Sequence, residues 1–128
     1  MRTSNLNELR DEIHQNAVEH GWWDKERGIG EIIALCHSEL SEALEEARIG
    51  APAIYCQEYD IDYCGDCVSQ HDLCPSNGNK PEGVAVELAD CIIRILDYCG
   101  RKGIDIDAIV RLKHEYNKRR PYKHGKEF

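Results

Sequence analysis

Two short acidic motifs, Glu39-x-x-Glu42 and Glu87-x-x-Asp90, carry the residues in this chain best suited to chemistry. Residues three apart share a helix face, so each pair projects from one side of its segment. Four carboxylates at one place repel each other, and their pKa values rise until some take protons. A divalent cation removes that conflict. An all-oxygen ligand set, without His or Cys, favours Mg²⁺ over zinc, with Mn²⁺ as its substitute. Mg²⁺ keeps several waters and also takes phosphate oxygens, which suits phosphate hydrolysis better than a structural metal site. Glu39 and Glu42 are the candidates for acting on a water as well as for holding the metal. Glu-x-x-Glu is also common on solvated helix faces, and Glu45 and Glu46 are read that way. The second pair weighs more: Glu87 and Asp90 interrupt an apolar stretch, and buried charge is costly unless paired or metal-bound. Di-iron chemistry would want Glu-x-x-His on inward faces. Here the second positions are Glu42 and Asp90.

The elements that must position these pairs read as helices throughout. A first amphipathic helix covers about 4–20, with Leu6, Leu9, Ile13 and Val18 on its core side and Gly21 as its stop. After the connector from Trp22 to Gly28, a second helix runs over about 29–48. Its apolar positions, Ile32, Ile33, Leu35, Cys36, Leu40, Ala43, Leu44 and Ala47, recur at helical spacing. Residues 51–81 hold Pro52, Gly65, Pro75, Gly78 and Pro81, and so predict an irregular insertion. A third helix, about 82–100, is apolar nearly all round and should be central. Asp105 or Asp107 caps a fourth helix reaching about 119, which Pro121 stops. The predicted fold is all-α: one four-helix domain over 1–128, with a Cys-containing insertion between helices two and three and a basic tail at 120–128. Helices two and three, packed antiparallel, would bring the acidic pairs face to face.

Composition narrows the setting. The formal charge of −8 argues against general nucleic-acid binding. That charge is uneven: Arg111, Lys113, Lys118, Arg119, Arg120, Lys123 and Lys126 make a basic end on an acidic chain. Such asymmetry fits a small anionic ligand, although a solvated tail is the blander alternative. No apolar run approaches the roughly 20 residues of a membrane helix, and the polar start has no signal-peptide core behind it. A cytoplasmic location, in a bacterium or a phage-infected host, is the expectation. Of seven cysteines, Cys36, Cys91 and Cys99 fall in apolar helical stretches and read as reduced core residues. Cys56, Cys64, Cys67 and Cys74 gather in the insertion with His71. With the C-x-x-C at 64–67, they make a candidate structural zinc site of Cys₄ or Cys₃His type, with free thiols as the alternative.

Taken together, Trp23-Asp24-Lys25-Glu26, Glu39-x-x-Glu42 and Glu87-x-x-Asp90 resemble the MazG-like nucleoside triphosphate pyrophosphohydrolases. These belong to an all-α superfamily that includes dimeric dUTPases and phosphoribosyl-ATP pyrophosphohydrolase. The similarity covers residues 22–49 and 82–126. The end of the chain, Lys113-x-x-x-Asn117-x-x-Arg120-Pro121-x-x-His124-Gly125-Lys126, is similar to that of compact single-domain phage and bacterial members. The resemblance implies cleavage of an NTP or dNTP between its α and β phosphates, giving the monophosphate and pyrophosphate. It implies Mg²⁺ on Glu39, Glu42, Glu87 and Asp90, and a homodimer or homotetramer. Two departures stand out. Many such chains carry a further Glu where this one has Ser38, which leaves the metal count open. The cysteine loop over 54–77 is outside the family pattern.

For that reaction, Lys113, Asn117, Arg120 and Lys126 are the candidates for phosphate contacts, Arg binding phosphate in a two-pronged way that Lys does not. Trp23, His14 and Asn16 are the candidates for base and sugar, with Trp22 and Asp24 behind them. Ordinary packing is an equally good reading of either tryptophan. The tryptophans favour a deoxynucleotide, with a purine among the options. The competing class is a non-catalytic helical regulatory or binding module with a zinc-stabilised loop.

Overall fold

A computed structural model of the chain describes residues 5–56, 61–62 and 80–125. Four helices dominate: α1 Leu6–Glu19, α2 Ile29–Arg48, α3 Val84–Lys102 and α4 Ile106–Lys118, with a 3₁₀ turn at Tyr122–Gly125. The fold is all-α. The only strands among the described residues are β1 Tyr55–Cys56 and β2 Ile61–Asp62, an antiparallel pair. None of the described helices is long and apolar enough to cross a membrane.

Local sequence explains the helix ends. Asn5 caps α1, its side chain accepting from the Glu8 amide at 2.8 Å. Asp105 caps α4 in the same way, through the Ala108 amide. Gly21, at φ +84°, takes the left-handed position just beyond α1.

The chain divides into two compact units, residues 1–26 with 96–128, and residues 27–95. In the first, the starts of α1 and α4 interlock. The Leu6 amide donates to Asp107, the Asn7 side chain donates to Asp105, and the Asp107 amide donates back to Asn7. Arg10 reaches the Ile104 carbonyl at 2.6 Å. Gly100 lets α1 come close to α3: a Cβ there would lie 2.6 Å from His14 Cβ.

The second unit holds α2, the strand pair and the first part of α3. Cys36 near the middle of α2 pairs with Cys91, whereas Glu42 further along α2 pairs with Glu87 earlier on α3, so the pairings run in opposite senses along the two helices. The two helices are therefore antiparallel. The stretch after α2 is pinned to the start of α3. Tyr55 and Glu82 exchange backbone hydrogen bonds, the Ala85 amide donates to the Ala53 carbonyl, and the Tyr55 hydroxyl donates to Glu46. Gly83 sits at φ +117°, where a Cβ would fall 2.3 Å from the Ala53 oxygen.

The structure departs from the sequence expectation in two respects. Part of the stretch expected to be irregular pairs as strands. The apolar faces are also less covered than predicted: α3 leaves Leu88, Ile92, Ile93 and Ile95 exposed, and Leu9 and Val18 of α1 are exposed while Ala17 is buried. Four short helices divided between two small units have too few faces to cover so much apolar surface.

Candidate functional site

The two acidic motifs meet. One carboxylate oxygen each from Glu39, Glu42 and Glu87 lies within 4.8 Å of the others. Helical spacing presents Glu39 and Glu42 together from α2, and antiparallel α3 sets Glu87 opposite them. Asp90 stands beside this triad rather than in it, and feels the charges of Glu39 and Glu42.

Burial is unequal. Glu39 is 8% exposed, Glu87 and Asp90 are half-buried, and Glu42 is exposed. The sequence put weight on Glu87 and Asp90 as the buried pair; the deepest carboxylate is instead Glu39. It survives there because the Arg94 Nε–H donates to its Oε1 at 2.7 Å.

Among the described residues Glu87 has no such cation, and its buried Oε2 has no hydrogen-bond partner. Burial, followed by the proximity of Glu42, then of Glu39 and Asp90, raises its pKa from an ordinary 4.5 to about 7. Asp90 is pushed up as well, first by burial and then by Glu39, against the opposing pull of Arg94. The cluster is thus short of positive charge. Oxygen donors from two helices, an orphaned buried oxygen and mutual repulsion together fit a hard divalent cation. Cys36 and Cys91 pack against each other beside it, and burial followed by Cys91 raises the Cys36 thiol's pKa.

The candidates for base and sugar are dispersed. His14 and Trp23 come together on a residue the sequence did not single out, Asp97. This carboxylate is 8% exposed. It pairs with His14 Nδ1 at 2.7 Å and accepts from Trp23 Nε1–H at 2.9 and 3.1 Å. The two rings meet edge to face at 5.7 Å, and the Arg101 guanidinium lies 5.0 Å from the Trp23 ring centre. Arg101 also pairs with Glu26. Trp23 is therefore a buried ring whose N–H is already engaged, while Trp22 is exposed. Asn16 is exposed on α1, and its backbone carbonyl accepts from His20.

The phosphate candidates lie at the end of α4. Lys113 Nζ is 4.7 Å and the Arg120 guanidinium carbon 5.6 Å from the ring centre of exposed Tyr116, so both cations gather on one aromatic side chain. The Asn117 carbonyl accepts from the Arg120 amide, which closes the helix. Lys126 lies outside the described residues. Of the zinc candidates, Cys56 is fully buried, and Cys64, Cys67, Cys74 and His71 lie outside the described residues.

Arg94, Asp97 and Arg101 were missed as site residues, although a signal was there. Glu87, Asp90, Arg94, Asp97 and Arg101 recur at spacings of three and four, a charged stripe along an otherwise apolar helix. Comparison with known protein families, with curated proteins and with solved structures finds no match for this chain.

Proposed function

We propose that the chain is a Mg²⁺-dependent nucleoside triphosphate pyrophosphohydrolase of MazG-like type, cutting a dNTP or NTP between its α and β phosphates. One observation carries this assignment: Glu39, Glu42 and Glu87 converge from two antiparallel helices, and among the described residues the buried Oε2 of Glu87 has no hydrogen-bond partner. Asp90 is the fourth candidate ligand. When bound there, Mg²⁺ would neutralise phosphate oxygens and acidify a water, with Mn²⁺ able to replace it.

The protein's own groups then divide the work. Glu39 is held by Arg94 and buried, so it is suited to a fixed ligand position. Glu42 is exposed, so it is suited to orienting the attacking water and taking its proton. Glu87 enters as a carboxylate once a cation is present. In-line attack at the α phosphorus expels pyrophosphate, and Lys113, Asn117 and Arg120 are proposed to contact phosphate. His14 and Asn16 are proposed for the nucleoside, with Trp22 offering the exposed ring and Trp23 acting through His14 and Asp97. The working form is proposed to be a homodimer or homotetramer.

Purified protein given each common dNTP and NTP with Mg²⁺ should release pyrophosphate. EDTA should abolish release, and Glu39→Gln and Asp90→Asn should each lower kcat by about 100-fold or more, as expected when groups holding transition-state charge are lost. No pyrophosphate from any of these nucleotides would end the assignment. Full turnover in both variants would end the placement of the site.

A further inference from the structure

The carboxylate cluster contains one anchored cation, and the proposed reaction as set out above gives it only the task of steadying Glu39. The Arg94 side chain is 34% exposed, whereas that of its partner Glu39 is 10% exposed. The carboxylate is the buried end of this pair and the guanidinium the open end. The bond between them uses Nε. A guanidinium has further donors on Nη1 and Nη2, and among the described residues these have no hydrogen-bond partner. Asp90 also feels the positive charge of Lys80, whose side chain is 75% exposed and pairs with Glu82 at 3.7 Å. Lys80 is thus a loosely held charge, and Arg94 a fixed one.

Arg94 follows Asp90 by four residues and Glu87 by seven, which puts all three on one face of α3. A ligand bridging a cation on Glu87 and Asp90 would therefore meet Arg94 next to it. Charge points the same way. Several carboxylates around one divalent ion stay net negative, so a polyphosphate needs further positive charge to approach them. A planar donor fork held by a buried carboxylate supplies that charge already oriented for phosphate oxygens.

We propose that Arg94 is a phosphate-contacting residue of this site, fixed through Nε by Glu39 and presenting Nη1 and Nη2 to the polyphosphate or pyrophosphate of a metal-bound ligand. The proposal rests on the hydrolase assignment and adds a residue to it. The bland alternative, a counter-ion for Glu39 and nothing more, makes a different prediction.

Calorimetric titration separates the two. MnCl₂ alone is titrated into the full chain, followed by inorganic pyrophosphate into the Mn²⁺-loaded protein, for wild type, Arg94→Lys and Arg94→Met. Circular dichroism checks that helix content is kept. Lysine preserves the charge beside Glu39 but not the fork. Arg94→Lys should weaken pyrophosphate binding about tenfold and leave Mn²⁺ affinity within about twofold, the size expected for a lost charged hydrogen bond. Arg94→Met should weaken pyrophosphate binding further. Pyrophosphate affinity unchanged in both variants overturns the proposal, as does no pyrophosphate binding to Mn²⁺-loaded wild type. Parallel losses of Mn²⁺ and pyrophosphate affinity also overturn it, in favour of the counter-ion. Wild type that binds no Mn²⁺ removes the hydrolase assignment itself, and Arg94's role with it.

Discussion

Glu87 is the residue whose chemistry most depends on what occupies the cluster. An unfolded carboxyl of its kind loses its proton near 4.5, whereas burial beside Glu42, Glu39 and Asp90 holds the folded one to about 7. Between those values the folded chain keeps a proton that the unfolded chain has released. Raising pH through this window therefore favours unfolding. In EDTA, the urea midpoint should fall between about pH 5 and about pH 8, and Glu87→Gln should flatten that fall because its amide does not ionise. Saturating Mg²⁺ should restore wild type at the higher pH, since the cation binds the ionised form. Equal pH slopes for wild type and Glu87→Gln would show that Glu87 is not the group responsible. At this scale the sequence was informative about spacing and uninformative about partners. Three of the four acidic positions came together because the three-residue repeat fixes a helix face. That Glu39, not Glu87, would be the deepest, and that Arg94 would hold it, depends on how α2 and α3 pack. Asp97 shows the same limit. Its place in the charged stripe was readable, but its pairing with Trp23 Nε1 and His14 joins residues more than 70 positions apart.

Helices were the most legible level, because their ends are set by nearby residues. Asn5 and Asp105 cap through their own side chains, and Gly21 ends α1 by its left-handed backbone. The pairing of Tyr55–Cys56 with Ile61–Asp62, and of Tyr55 with Glu82, was not legible, since no alternating pattern marks strands of two residues. Gly100 is a case in which helix propensity and packing oppose each other. In an exposed helix, Gly→Ala gains about 1 kcal/mol. Here the added methyl would meet His14 Cβ at 2.6 Å, His14 Cγ at 3.0 Å and the Arg10 carbonyl at 3.3 Å. Backbone of α1 stands behind that contact, so a rotamer change of His14 alone does not relieve it. Overpacking of this kind costs about 1–3 kcal/mol and should outweigh the propensity gain. Gly100→Ala is expected to lower the urea midpoint and to shift Trp23 fluorescence, because His14 is tied through Asp97 to that indole. A variant more stable than wild type would mean that α1 does not approach α3 this closely in solution.

Taken as a whole molecule, the chain leaves apolar surface in ordered stripes rather than scattered singly. On α2, Ile29, Ile33, Leu40 and Leu44 are 45–53% exposed at spacings of four, seven and four residues, so they share one face. On the part of α3 in the same unit, Leu88, Ile92 and Ile95 repeat the pattern. Seven such side chains expose on the order of 600 Å² of apolar surface, at the upper end of the largest patches monomers leave open and approaching the roughly 800 Å² of one side of a standard interface. The sequence predicted these apolar helices and placed helix three at the centre, where Leu88, Ile92, Ile93 and Ile95 are instead exposed. The proposed homodimer or homotetramer would cover these stripes with a second copy, because the same stripe on each protomer is self-complementary about a two-fold axis. Light scattering after size exclusion, at micromolar concentration in EDTA, should give a mass of two chains or a multiple of two. Replacing Ile33 and Leu40 together with Glu should shift that mass to a single chain, with a lower urea midpoint. Both positions lie outside the acidic cluster, so Mn²⁺ binding by the folded variant tests whether the metal site is built within one protomer. A wild-type chain that runs as a monomer would mean that these stripes are not a contact between copies.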